Sequence, residues 1–93
     1  MNIHFEWDEN KNILNQKKHH ISFEEAQTVF NDLFARLIPD PDQSEERFIL
    51  IGMSNQYKLL VVCHCERGID SIRIISARKA EKHEQKQYEN YHA

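Results

Sequence analysis

Polar and apolar residues alternate from residue 2 to residue 7, with Ile3, Phe5 and Trp7 on one side of the chain, which is the pattern of a half-buried strand. Asp8 can then cap a helix through "ENKNILNQKKHH". Ile13 and Leu14 give that helix a narrow apolar stripe, and Lys17, Lys18 and His19 fall in its last turn, where the helix dipole favours cations. Ser22 followed by Glu25 is a capping box, and Phe23, Ala26, Val29, Phe30 and Leu33 recur behind it at helical spacing, so a second helix is expected as far as Leu33. Four apolar runs follow. "FARLIP" is a short strand stopped by Pro39, and "RFILIGMS", "YKLLVVCHCER" and "DSIRIISA", joined by "NQ" and "RGID", predict an antiparallel meander. From Arg78 to Tyr91 the chain favours helix but is nearly all polar, with Ala80, Glu84, Tyr88 and Tyr91 as its inward stripe. The predicted class is α+β: N-terminal helices packed on an antiparallel β-sheet, with a polar C-terminal helix that a partner can cover.

Composition narrows the picture. At 93 residues there is room for one domain, spanning 1–93, with a modest core, and two Gly and two Pro argue against a linker-rich chain. No segment approaches the roughly 18 apolar residues of a membrane span, and "MNIHFEWDEN" lacks the features of an export signal. A cytoplasmic protein without a membrane partner is expected. The net charge of -3 hides an asymmetry: residues 1–57 carry five Lys/Arg against ten Asp/Glu, and residues 58–93 carry seven against five. The acidic "DPDQSEE", Asp40 to Glu46, reads as a solvated turn, and the terminal His92-Ala93 as exposed. Cys63 and Cys65 share one strand face and read as buried free thiols, since a disulfide within one strand would be strained.

Candidate chemistry sits on the last two strands. His64 and Glu66 share a face with Leu60 and Val62, and an imidazole beside a carboxylate can move a proton near neutrality. On the next strand, strict alternation places Ile72, Ile74, Ser76 and Arg78 on one parity and Arg73, Ile75, Ala77 and Lys79 on the other. Arginine forks at strand ends around a His and a Glu suit phosphodiester cleavage, which needs charge neutralisation at the phosphate together with proton transfer. Spacing alone favours the plainer reading, a hydrogen-bonded core histidine with ordinary turn charges, and Arg78 and Lys79 as surface charges opening the last helix. The six His and two Cys do not show the paired spacing of a structural zinc site, so no metal is expected. No Gly-rich phosphate loop, nucleophile elbow or RNA-recognition aromatic signature is present, and no cofactor is implied.

"FEWDENKNILNQKKHHISFEEA", Phe5 to Ala26, resembles the opening motif of the BrnT toxin family, in which F-E-W-D, a Lys, an Asn, K-H-G and F-E-E-A recur in order. "DPDQSEERFILIGMS", "LLVVCHCERG" and "IRIISARKAEKHEQKQYE" resemble its remaining blocks, so the likeness covers nearly the whole chain. The resemblance implies a RelE-like fold and the toxin of a type II toxin–antitoxin system, an endoribonuclease that arrests growth. It also implies neutralisation by a BrnA-like ribbon-helix-helix antitoxin, with operator DNA bound only through the complex. Within matched blocks it points to Arg67, Arg78, His64, Glu66 and Lys18 as catalytic residues and to His19 and Lys79 as RNA-binding ones. Metal-free attack of the RNA 2′-hydroxyl is the reaction implied, with His64 or Glu66 taking the proton, and Arg67 with Arg78 as the firmest pair at the phosphate. The complex is expected to bury the basic face under an acidic or apolar antitoxin segment. One position departs from the pattern: His20 stands where the family commonly has Gly, so either the helix cap differs there or His20 adopts it. The rival reading is a non-catalytic antitoxin-binding module that modulates operator binding, which the net negative charge suits.

Overall fold

The computed structural model describes residues 2–40 and 46–91. Most of the expected acidic turn and the terminal His92-Ala93, like the side chain of Tyr91, lie outside the described residues. The chain runs β1 (His4–Glu6), α1 (Glu9–His19), α2 (Phe23–Gln27), a 3-10 turn (Thr28–Asn31), β2 (Arg36–Pro39), β3 (Phe48–Met53), β4 (Leu59–Glu66), β5 (Ser71–Lys79) and α3 (Lys82–Tyr91). The strands form one sheet in the order β1-β5-β4-β3-β2. The expected meander β3-β4-β5 is its antiparallel centre, β2 extends it antiparallel, and β1 adds a parallel edge through His4 to Glu6 beside Ser71 to Arg73. Both edge strands are short, and β2 ends in Pro39, which has no N–H to donate.

α1 and α2 lie against one face, where Ile21, Phe23, Ala26, Val29, Leu50, Leu60, Val62, Ile74 and Ala77 form the core. α3 packs against β3 on the opposite face, so Ile51 and Val61, paired across β3 and β4, are buried there as well. This double burial explains why the central strands read as continuous apolar runs rather than as strict alternation.

α1 inverts the expected stripe. Ile13 and Leu14 are 45% and 62% exposed, whereas Asn12 and Asn15 are buried. The reason lies at the edge of β5, because β1 pairs only as far as Arg73 and leaves the outer side of Ala77, opposite β4, without a strand among the described residues. Asn15 fills that place. Its Oδ1 accepts from the Ala77 N–H at 3.1 Å, and its Nδ2 donates to the carbonyls of Ala77 and Ile21, each at 2.8 Å. One turn earlier, Asn12 Oδ1 accepts from the Phe23 N–H at 2.8 Å and Nδ2 donates to Glu24, which fixes the start of α2. A buried backbone group left without a partner costs about 1–3 kcal/mol. Two asparagines on the inner face therefore stabilise the packing more than two further aliphatic residues at those positions could.

Three other boundaries differ from expectation. Ser22 caps α2 as its capping box predicts, but the α-helix ends at Gln27, tightens into the 3-10 turn, and leaves Leu33 95% exposed. That turn presses on β3 at Gly52, where a Cβ would lie 2.7 Å from Val29 Cγ1 and 2.9 Å from Ala35 Cβ. In β5, Cys63 pairs with Ser76 but His64 pairs with Ile74, so Ile75 is an extra residue and forms a bulge. The bulge reverses the parity beyond it: Arg78 falls opposite Val61, on the α3 face, and Lys79 opposite Leu60, on the α1–α2 face. Finally, β5 continues through Lys79, so Arg78 and Lys79 end a strand instead of opening a helix.

His20 does adopt the left-handed cap, at φ 61° and ψ 27°, with its N–H donating to the Gln16 carbonyl. Two stability measurements follow. Asn15→Ala is expected to lower unfolding free energy by about 3–5 kcal/mol, because three hydrogen bonds to buried backbone go unmade, seen as a fall of well over ~10 °C in melting temperature. His20→Gly removes the left-handed strain and is expected to raise stability by about 0.5–1 kcal/mol in urea unfolding.

Candidate functional site

The Asn15 clamp sets the C-terminal end of α1 beside the end of β5, and in doing so gathers cations from two elements. Lys17, Lys18 and His19 form the last turn of α1, and Arg78 and Lys79 close β5. His19 is half-buried, and its proton affinity is lowered first by that burial and then by the charges of Lys18, Arg78 and His20. Burial and the neighbouring cations thus both disfavour its protonated form. Arg78 is ordered from the other side: its two terminal nitrogens donate to Glu84 Oε1 and Oε2, both at 2.7 Å, with Glu81 at 3.8 Å. This bidentate pair raises the Arg78 pKa and holds the Glu84 carboxyl below its usual range. Glu84 is itself buried and also accepts from the Glu81 N–H at 2.8 Å, which ties the start of α3 to the end of β5.

The second group lies at the other end of the sheet, on the α1–α2 face. His64 is only 3% exposed. Its ring meets Phe30 edge-on at 4.9 Å and lies 6.1 Å from Phe48, and its Nδ1 is 3.3 Å from the Val62 carbonyl. Burial lowers its pKa, while the Val62 contact and the charge of Glu66 act in the opposite sense. It borders a cleft of about 380 Å³ that also contains Phe30, Leu50, Glu66, Asp70 and Ile72.

The predicted residues thus divide. The charges of Lys18 and Arg78 both act on His19, and that of Glu66 acts on His64. The expected pairing of Arg67 with Arg78 at one phosphate is corrected by the geometry. Arg67 sits in the β4–β5 turn with its N–H on the Ser71 carbonyl, and seven residues of strand at about 3.3 Å each separate Ser71 from Arg78, roughly 20 Å in all. His64 and Arg78 are also on opposite faces, a consequence of the bulge, so they cannot share a phosphate either. Asn12 and Asn15 went unnoticed in the sequence, where their only signal was two asparagines three apart in a mostly polar helix. The spacing put Glu84 on the inward stripe without revealing its guanidinium partner. Cys63 and Cys65 are free and half-buried, and burial with the nearby Asp40 carboxylate raises the Cys63 thiol pKa. Among the described residues no three His, Cys, Asp or Glu side chains form a group that could hold a metal, and no helix is long and apolar enough to cross a membrane.

An α+β domain with a mixed five-stranded sheet and a cationic histidine site at the end of one strand is a suitable frame for acting on a phosphodiester. Residues 7–84 match the family described as the ribonuclease toxin, BrnT, of type II toxin-antitoxin systems, and the chain belongs to that family. Among solved structures it is similar to the ribonuclease toxin BrnT of Brucella abortus, at 27% identity and a TM-score of 0.66, over 88% of this chain and 99% of that one. Comparison with curated proteins gives no match. The family match bears out the resemblance seen in the motifs, and a type II system implies an antitoxin partner.

Both lowered histidines set a pH dependence. In the unfolded chain they titrate near about 6.5, so as pH falls the unfolded state takes up protons first. Stability is therefore retained above about pH 6.5 and lost as pH drops through the depressed folded values. The urea midpoint is expected to fall between about pH 7.5 and about pH 5.5, and His64→Gln is expected to flatten that fall.

Proposed function

We propose that this chain is an endoribonuclease that cleaves RNA without a metal, using the cluster at the ends of α1 and β5. The observation that carries the reading is the place of His19 in the last turn of α1 next to Lys18 and within the field of Arg78, whose charges disfavour its protonated form. Neutral imidazole at pH 7 can take the proton of a 2′-hydroxyl, and cations beside it favour a phosphate at that position. In the proposed step His19 accepts the 2′-hydroxyl proton and the O2′–phosphorus bond forms. The phosphorus–O5′ bond then breaks, leaving a 2′,3′-cyclic phosphate, and the departing 5′ oxygen takes a proton from the Lys18 ammonium, after which solvent removes the proton from His19 and restores that of Lys18. Arg78 acts through its charge, since its fork already holds Glu84, and Lys79 contacts a neighbouring phosphate. His19 thus takes the role that the sequence suggested for His64 or Glu66. Expression is expected to arrest growth in the cytoplasm, and a BrnA-like ribbon-helix-helix antitoxin to relieve the arrest and to bring the complex to operator DNA.

One contact favours a second reading. Glu84 occupies both terminal nitrogens of Arg78, as it would in a non-catalytic module whose basic end only binds the antitoxin. Growth on expression without antitoxin separates the two, since only a ribonuclease arrests it.

Assayed on purified RNA with a chelator present, His19→Ala is expected to lose about 10²- to 10⁴-fold in cleavage rate, with an unchanged circular dichroism spectrum. Undiminished cleavage by His19→Ala, together with loss of cleavage in His64→Gln, would return the proton transfer to the opposite end of the sheet.

A further inference from the structure

RNA cleavage at the α1–β5 end leaves the cleft around His64 without a role. Its walls are apolar, formed by Phe30, Leu50 and Ile72. Aliphatic side chains continue from it onto the surface: Ile3 and Leu37 are 45% and 55% exposed, and Ile69 is fully exposed. Three carboxylates also border it, and among the described residues no Lys or Arg does. Asp32 accepts from the amides of Phe34 and Met53 and from the Tyr88 hydroxyl, but Glu66 and Asp70 have no ion-pair partner among the described residues. At the inner end His64 uses Nδ1 on the Val62 carbonyl, and its Nε2 has no hydrogen-bond partner among the described residues. The site therefore combines an apolar hollow, an imidazole nitrogen open to it, and two carboxylates without an ion-pair partner among the described residues.

We infer that this cleft is a docking site for the antitoxin, which inserts one bulky aliphatic side chain between Phe30, Leu50 and His64 and sets a Lys or Arg beside Glu66 and Asp70. An aliphatic anchor is favoured because it removes apolar surface from water on both partners. A cation is favoured because two carboxylates next to an apolar wall attract it more strongly than they would in open solvent. The same charge repels the backbone of RNA, so a protein segment suits the cleft better than a nucleotide. This rests on the toxin reading only for there being a partner, and it adds a contact opposite in charge to the one expected on the basic cluster.

The test is an NMR titration of the isotope-labelled protein with three probes: a short peptide carrying one Leu flanked by lysines, the same peptide with glutamates, and a mixed-sequence oligoribonucleotide. The lysine peptide is expected to shift Ile69, Ile72 and His64 saturably, more weakly as salt is added. Its affinity should fall about tenfold in Ile69→Ser and in Asp70→Asn, both exposed positions whose exchange leaves the fold intact. The glutamate peptide should not bind, and both variants should cleave RNA at the parent rate. Equal binding of the two peptides, binding of neither, binding unaffected by the substitutions, or the oligoribonucleotide shifting the same signals would each overturn the inference. Should the parent protein bind the lysine peptide yet cleave no RNA, the ribonuclease reading falls and the docking site stands.

Discussion

Beyond Arg73 the outer edge of β5 has no neighbouring strand, and the side-chain amide of Asn15 supplies the missing hydrogen bonds at Ala77. Much of the molecule depends on that substitution of a side chain for a strand. It lets the first helix leave the sheet after a three-residue β1 and still lie along β5. It also ties the carbonyl of Ile21 to the same amide, so the turn between the first two helices is placed by the helix–strand contact. Carboxamides suit this task because they offer a donor and an acceptor in one plane, as a backbone unit does. The position of His19 relative to Arg78 follows from the clamp, one helical turn beyond Asn15 and one residue beyond Ala77.

How much of this could be read beforehand depends on whether the cause was local. The strands of the meander, the Ser22 cap and the cationic last turn of α1 all rest on neighbours in sequence, and each appears where its pattern put it. Ile13 and Leu14 misled because hydrophobic periodicity assumes that a helix buries apolar residues, whereas α1 faces backbone groups that need polar partners. The parity of Arg78 misled because alternation has no way to register the extra residue at Ile75, which exists only in the pairing of β5 with β4. For the candidate site, the sequence offered the residues and the fold divided them. Lys18 and His19 looked peripheral until the clamp joined them to Arg78, and His64 looked central until its face was known.

The sheet in consequence separates two electrostatic environments. Around His19 the neighbours are cations; around His64 they are carboxylates and aromatic rings. Both histidines hold protons less readily than a free imidazole, the first through burial with added repulsion from positive charge, the second through burial against the opposing Val62 contact and Glu66 charge. The Arg78–Glu84 pair joins the α3 face to this division by tying the start of the last helix to the strand end that carries the basic cluster.

The sheet is longest in its middle and shortest at its rims, with three residues in β1 and four in β2, the latter closed by Pro39. An exposed strand of normal length is a template on which another chain can add a rung of backbone hydrogen bonds. Rims this short offer few such rungs. A partner that holds this protein tightly must therefore recognise side chains, and its selectivity is written in residue chemistry instead of in shared backbone, which favours a dedicated partner over any chain with an open strand.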